Sequence, residues 1–271
     1  VPEAGVTVSY LVDVLKEMGI VSKIPKPWAQ MGSEIDIQGT ANNQVGWSVS
    51  LSADGKTVAV GAPSHAPASG ARVRVFSYNG ENKKWESLGG PIVGSDSEAG
   101  WFGDSVSLSA DGRTLAVGAP SHSDNEGRVR VFIYNDEDKE WELLGSEGAQ
   151  ALLVGAAGER FGYSVSLSAD GKTVAVGAPY HDRTGSAFDD SDNVGRVQVF
   201  IYNDADEEWN LLGNEGVIVG AAGDRAGWSV SLSADGKTVA VGAPYHSDGS
   251  NRKGRVQVFS YDIASGWGQI G

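Results

Sequence analysis

The sequence predicts an all-β chain, a β-propeller of four-stranded antiparallel blades, and three observations carry that prediction. The string SVSLSADGKTVAVGAP starts at Ser48 and returns, nearly letter for letter, from Ser105, Ser164 and Ser229. A second shared block follows each copy after a variable loop: ARVRVFSYN at Ala71, GRVRVFIYN at Gly127, GRVQVFIYN at Gly195 and GRVQVFSYD at Gly254. Both blocks alternate apolar with polar or small residues, the period of two that marks a strand with unlike faces.

Within each copy the four strands follow in order. SVSLS is the first. The Asp-Gly of SADGK then supplies a tight hairpin, because glycine takes positive φ at no steric cost and aspartate tolerates it. TVAVGA is the second strand. RVRVFSY is the third, with Val73 and Val75 on one side and Arg72 and Arg74 on the other. Polar tips, NGENKK, NDEDKE and NDADEE, turn the chain into a fourth strand opened by Trp85, Trp141, Trp209 or Trp267. A lone meander of this length cannot bury both faces, so successive copies must stack, and radial stacking also protects the sheet edges. Copy spacings of 57, 59 and 65 residues suit a blade with one long loop.

The repeats fall at about 45–94, 102–155, 161–220 and 226–271, and the propeller reading covers 28–271. The ends do not balance. PWAQMG at Pro27 reads as a fourth strand near 28–32, and SGWGQIG at the C-terminus reads as another, one more than four blades need. The blade count is therefore four or five, and the natural protein is expected to continue, as part of a longer chain or assembly. Residues 1–27 fit two readings. Val6, Val8, Tyr10, Val12 and Val14 alternate as in a strand, whereas Leu11, Leu15 and Met18 share a helical face with Gly19 as its stop, and the helix is preferred.

Composition narrows the function. Lys+Arg is 21 against Asp+Glu 35, a net charge of −14, which repels nucleic acid and anionic lipid. No apolar run is long enough to span a bilayer. Cysteine is absent, which removes thiol catalysis, disulfides and thiolate metal sites. No linear catalytic motif is present, although a propeller can bring distant carboxylates together without one.

FGDSVSLSADGRTLAVGAP from Phe102 and FGYSVSLSADGKTVAVGAP from Phe161 resemble the FG-GAP repeat, known from the propeller of integrin α chains. The resemblance extends from about Trp28 to Gly271, with the Phe replaced in the first and fourth copies, giving VGW at Val45 and AGW at Ala226, and Gly-Ala-Pro intact in all four copies. It implies an interaction platform for proteins or, as in some lectins, for sugars. Many members carry an aspartate-rich calcium loop between the first two strands, but LSADGKT offers one Asp, so calcium is not expected there and no cofactor is expected elsewhere.

All four histidines hold one repeat position, two residues after the Pro of GAP: His65, His122, His181 and His246. The topology places them at one end of the channel, beside the crossings between blades. Such imidazoles suit an acidic ligand or a pH switch, and equally the plainer role of fixing a loop by hydrogen bonds. A single metal needs closer spacing than a ring around a channel gives. The crossings add Trp47, Trp101, Tyr163, Trp228, Arg160 and Arg225, a composition suited to sugar or protein recognition. Phe102 and Phe161 read as fillers between blades. Acidic groups at Asp182, Asp189, Asp190 and Asp192, and at Asp204, Asp206, Glu207 and Glu208, lack calcium-loop spacing and read as solvated loop charge. The expected function is a non-catalytic binding module, extracellular or on a cell surface, for a protein or carbohydrate. The alternatives are a polysaccharide-acting enzyme with residues from several blades and a structural unit of a larger extracellular protein.

Overall fold

The computed structural model describes residues 31, 37–39, 43–63, 71–94, 101–145, 153–182, 193–213, 217–249 and 251–271. The expected N-terminal helix, Trp28, His65, Asp189, Asp190 and Asp192 lie outside them.

Four antiparallel sheets follow one another along the chain, each a blade. The first comprises β1 (Ser48–Leu51), β2 (Thr57–Ala62), β3 (Arg72–Asn79) and β4 (Lys84–Ser87), with a short β5 (Ile92–Val93). The second comprises β6 (Ser105–Leu108), β7 (Thr114–Ala119), β8 (Arg128–Asn135), β9 (Glu140–Leu143) and β10 (Leu153–Val154). The third comprises β11 (Ser164–Leu167), β12 (Thr173–Ala178), β13 (Arg196–Asn203), β14 (Glu208–Leu211) and β15 (Val217–Val219). The fourth comprises β16 (Ser229–Leu232), β17 (Thr238–Ala243), β18 (Arg255–Asp262) and β19 (Gly266–Gln269). The described chain is thus a β-propeller of four-stranded blades, with one refinement. In the first three blades the outer edge is split: β4 pairs with the far half of β3 at Phe76–Asn79, and β5 with its near half at Arg72 and Val73.

The Asp-Gly hairpin forms for a local reason that repeats in every blade. Ser52 Oγ donates to Asp54 Oδ1 at 2.7 Å and accepts the Thr57 N–H at 2.9 Å, while Asp54 Oδ1 also accepts the Lys56 N–H at 2.9 Å. Ser109, Asp111, Arg113 and Thr114 repeat this, as do Ser168, Asp170, Lys172 and Thr173, and Ser233, Asp235, Lys237 and Thr238. The single Asp of each hairpin is thereby used in holding its own turn.

Blades stack through three apolar cores. Val73 and Val75 of the first blade meet Val106, Leu108, Leu115 and Val117 of the second, with Phe102 from the crossing between them. Val129 and Val131 meet Phe161, Val165, Leu167, Val174 and Val176 in the same way, and Val197 and Val199 meet Val239 and Val241. Phe102 and Phe161 are fully buried, as the filler reading expects. Polar fasteners accompany each core. Ser48, Ser105 and Ser164 donate through Oγ to the Gly103, Gly162 and Gly227 carbonyls of the next blade. The indoles of Trp141, Trp209 and Trp267 donate back to the Leu88, Leu144 and Leu212 carbonyls of the blade before. Trp85 makes the equivalent bond to the Met31 carbonyl at 3.2 Å, so Met31 occupies the place that an outer-strand leucine holds in later blades.

Candidate functional site

The loop leaving the second strand of each blade and the crossing into that blade meet at one end of the stack. The histidine fixes this junction through its backbone. The His122 N–H donates to the Ala119 carbonyl and the His122 carbonyl accepts the Gly127 N–H, with the same pair of bonds at His181 and His246.

The side chains go further. His181 Nδ1 lies 2.6 Å from Glu159 Oε1, and Arg196 Nη2 lies 2.5 Å from Glu159 Oε2. The Ala156 N–H also donates to Oε2 at 3.0 Å. Blade four builds the same group with a shorter acid: His246 Nδ1 at 2.9 Å and Arg255 Nη2 at 2.7 Å from Asp224, plus the Ala221 N–H. Both carboxylates are buried, Glu159 at 5% exposure and Asp224 at 2%. Burial pushes the Glu159 carboxyl up, but bonds from His181 and Ala156 and the Arg196 charge outweigh it and hold the group below its ordinary value. With the carboxylate ionised, the short contact places the imidazole proton on Nδ1. Two histidines thus point at the crossing that their loop abuts, and their carboxylate and arginine partners tie crossing, loop and third strand into one unit. His122 is itself buried, with Ser123 Oγ 3.2 Å from its Nε2. Among the described residues no group of three or more His, Asp or Glu is placed to hold a metal ion.

Residues next to these groups in the chain build an aromatic and cationic cluster. Tyr163 packs against Trp228 with ring centroids 4.8 Å apart and planes inclined at 51°, Trp228 contacts Tyr245 at 5.4 Å, and Tyr180 lies 6.2 Å from Tyr163. Arg160 sits 4.4 Å over the Tyr180 ring, Arg225 lies over both Tyr180 and Tyr245 at 4.7 and 4.6 Å, and Arg252 covers Tyr245 at 5.0 Å. Burial raises the Tyr163 phenol above its ordinary value, with Tyr180 and Asp104 adding to it. Arg160 and Arg225 reach these rings from a left-handed backbone, φ 53° and 54°, a conformation uncommon outside glycine, Asn and Asp. The remaining predicted pair, Trp47 at the entry to blade one and Trp101 on the crossing into blade two, meets edge to face at 5.9 Å, with Trp47 53% exposed.

The structure therefore brings Tyr163, Trp228, Arg160 and Arg225 together and keeps Trp47 with Trp101 as a separate pair. Sequence reasoning missed Tyr180, Tyr245, Arg252, Glu159 and Asp224. A signal existed for the first two: GAPYH in copies three and four against GAPSH in copies one and two. The acidic hairpin tip is structural, since Asp206 accepts from Asn203 Nδ2 at 2.5 Å and Asp204 pairs with Lys172.

With this geometry established, residues 154–200 and 218–259 match the FG-GAP repeat family, the two segments that build most of blades three and four. Two of the four repeats thus match the FG-GAP repeat family. The chain is also similar in structure to larger proteins at low identity. These include TolB from Acinetobacter baumannii (17% identity, TM-score 0.42, 82% of this chain and 42% of that one). The β-propeller domain of the Trilobed protease from Pyrococcus furiosus is similar at 10% identity and TM-score 0.45, over 83% of this chain and 56% of that one. A functionally unknown protein from Desulfotomaculum acetoxidans is similar at 13% identity and TM-score 0.46, over 83% of this chain and 54% of that one. The FG-GAP chain thus spans about half the length of these structures.

Proposed function

We propose that this FG-GAP propeller is a non-catalytic binding module whose ligand docks on the Tyr163, Tyr180, Trp228 and Tyr245 cluster. One observation carries the reading: in a chain of net charge −14, four aromatic rings and three guanidinium groups converge on blades three and four. Blades one and two carry Ser64 and Ser121 where these blades carry Tyr180 and Tyr245. Tilted aromatic rings offer apolar surface to the C–H groups of a sugar or to apolar side chains. A guanidinium lying on a ring keeps its in-plane donors directed to the ring's edge, where carboxylate or sulfate oxygens can meet them. An acidic glycan fits this pairing of apolar face and cationic edge. The Glu159–His181 and Asp224–His246 pairs anchor the residues next to Arg160, Tyr180, Arg225 and Tyr245 in the chain, and their repetition in two blades favours scaffolding over catalysis.

The test is a glycan array that includes carboxylated and sulfated sugars, probed with the wild-type chain and with Trp228→Ala, Tyr245→Ser and Arg225→Gln. Binding weakened at least tenfold in each variant, equivalent to about 1.4 kcal/mol, is the expected result. Binding unchanged by all three removes the cluster from recognition, and an array without hits turns the proposal toward a protein ligand.

A further inference from the structure

Each crossing holds one non-glycine residue in the left-handed region just before its blade: Gln44, Trp101, Arg160 and Arg225, with φ of 50°, 76°, 53° and 54°. A long side chain held there is strained, and such strain gathers at functional sites. Hydrogen bonds fix it at both arginines. The Arg160 N–H donates to the Asn125 carbonyl and the Arg225 N–H to the Asn193 carbonyl, each in the loop of the blade before, and the Arg160 carbonyl accepts the Tyr163 N–H. In blades three and four the side chain so presented is a guanidinium, and the loop after the second strand meets it with Tyr180 or Tyr245.

The result is an unbroken alternation of cation and ring. Arg160 lies over Tyr180, Arg225 over Tyr180 and Tyr245, and Arg252 over Tyr245, each guanidinium carbon 4.4 to 5.0 Å from the ring centroid. Arg252 is placed by its own loop, which a β-bridge between Ser247 and Arg252 closes and the Ser247 hydroxyl braces through the Gly249 and Asn251 carbonyls. Trp228 ties the two tyrosines together, 6.5 Å from Tyr180 and 5.4 Å from Tyr245.

The protein does not neutralise this series. Among the described residues no carboxylate pairs with Arg160, Arg225 or Arg252, whereas Arg113, Arg196 and Arg255 each hold one. Asp248, on the same loop as Arg252, is taken by Lys253. Three like charges set one ring apart repel one another, and the ring quadrupoles offset only part of that. A guanidinium lying on a ring keeps its N–H donors in plane, so the series offers a row of donor edges separated by ring edges. Anions joined in a chain can meet all three donors together.

We propose that this series is a track for a linear acidic polysaccharide, laid across blades three and four with one acidic group at each of Arg160, Arg225 and Arg252. The proposal rests on the cluster being the ligand site and adds that the ligand is a chain of several acids, not a single acidic sugar. A glycan suits the track better than an acidic peptide, because its backbone is itself a string of rings whose C–H groups can lie along the tyrosine and tryptophan edges between the cations. Blade two does not extend the track. It carries Ser121 in place of tyrosine, Trp101 in place of arginine and Asp104 in place of Tyr163.

Isothermal titration with size-defined fragments of polygalacturonate, which is carboxylated, and of heparin, which is sulfated, tests this over a salt series. In at least one of the two series the hexasaccharide is expected to bind roughly tenfold tighter than the disaccharide or better, while maltohexaose, which has no acidic group, binds no tighter than maltose. Arg160→Gln, Arg225→Gln and Arg252→Gln are each expected to weaken hexasaccharide binding severalfold, to weaken disaccharide binding less, and to reduce the salt slope by about one. Tyr180→Ser, which installs the residue that blade two carries, is expected to shrink the length dependence too, and replaces any arginine variant whose circular dichroism spectrum departs from wild type. Binding that the substitutions weaken but that is the same for disaccharide and hexasaccharide overturns the track and leaves the cluster as a site for one acidic sugar. Binding that none of the variants changes overturns the track and the cluster's role together. Absence of binding in both series also overturns the track, as does hexaglutamate binding tighter than either hexasaccharide, which assigns the cluster to an acidic peptide.

Discussion

Glu159 concentrates the energetics of the junction in one side chain. Its carboxylate is buried, yet each oxygen receives a charged or potentially charged partner, His181 on one and Arg196 on the other. A buried charge so paired is costly to unpair from either side, because the remaining partner is left desolvated. The folded-state value is depressed below the ordinary one of about 4.3. The group therefore contributes stability above the unfolded-state value, and that contribution is lost as pH falls through the folded-state value. Glu159→Gln keeps the shape and removes the charge. Urea unfolding at pH 7 is expected to show a loss of about 1–3 kcal/mol, and the decline in stability between roughly pH 5 and 3 to be shallower than in wild type. A variant with wild-type stability and the same acid profile would mean that the carboxylate is not a paired anion in the fold. This group was barely legible in the sequence. His181 was visible as a repeat position, but its partner stands 22 residues upstream on a crossing, where Glu, Asp and Gly alternate between copies at 159, 224 and 100. Only the path of the crossing decides that these atoms meet.

The Asp-Gly hairpin shows how one short motif can serve two purposes at the scale of an element. Gly171 has φ 71°, which the turn requires, and a Cβ there would also lie 2.5 Å from Thr114 Oγ1 of the preceding blade. Gly55 has φ 69° with open space around it. Alanine at both positions incurs the left-handed backbone penalty, about 1–2 kcal/mol, but only Gly171→Ala also pushes two blades apart. Thermal unfolding at dilute concentration is thus expected to rank Gly171→Ala as clearly more damaging than Gly55→Ala. Equal losses would show that the turn alone governs the glycine. Strands and hairpins were readable because period-two patterning and Asp-Gly turns are local properties. The split of the outer edge at Gly89, φ 76°, and the indole bonds from Trp141, Trp209 and Trp267 to the blade before were not. A tryptophan in a fourth strand looks the same whether its N–H meets solvent or a neighbour's carbonyl.

For the whole molecule, identical sequence in unlike surroundings makes position the variable that decides stability. β13 and β18 both contain RVQVF, and both pair with their second strand in the same register. Their pairing with the second strand is thus equivalent, and so is the bond that the Val199 and Val258 carbonyls accept from the outer strand, whereas Val197 also pairs with β15 and Val256 has no such strand among the described residues. The neighbouring blade differs as well: Val197 and Val199 are fully buried under blade four, whereas Val256 is 71% exposed. In a stack where each unit leans only on the next, terminal units lose one interface and open first. Burying a valine stabilises by roughly 1.5 kcal/mol, which corresponds to about a tenfold difference in opening. Hydrogen exchange is therefore expected to be at least tenfold faster at Val258 than at Val199, the pair whose strand partners match. Equal protection of the two residues would mean that something within the chain already covers blade four, and position in the stack would not be what sets strand stability.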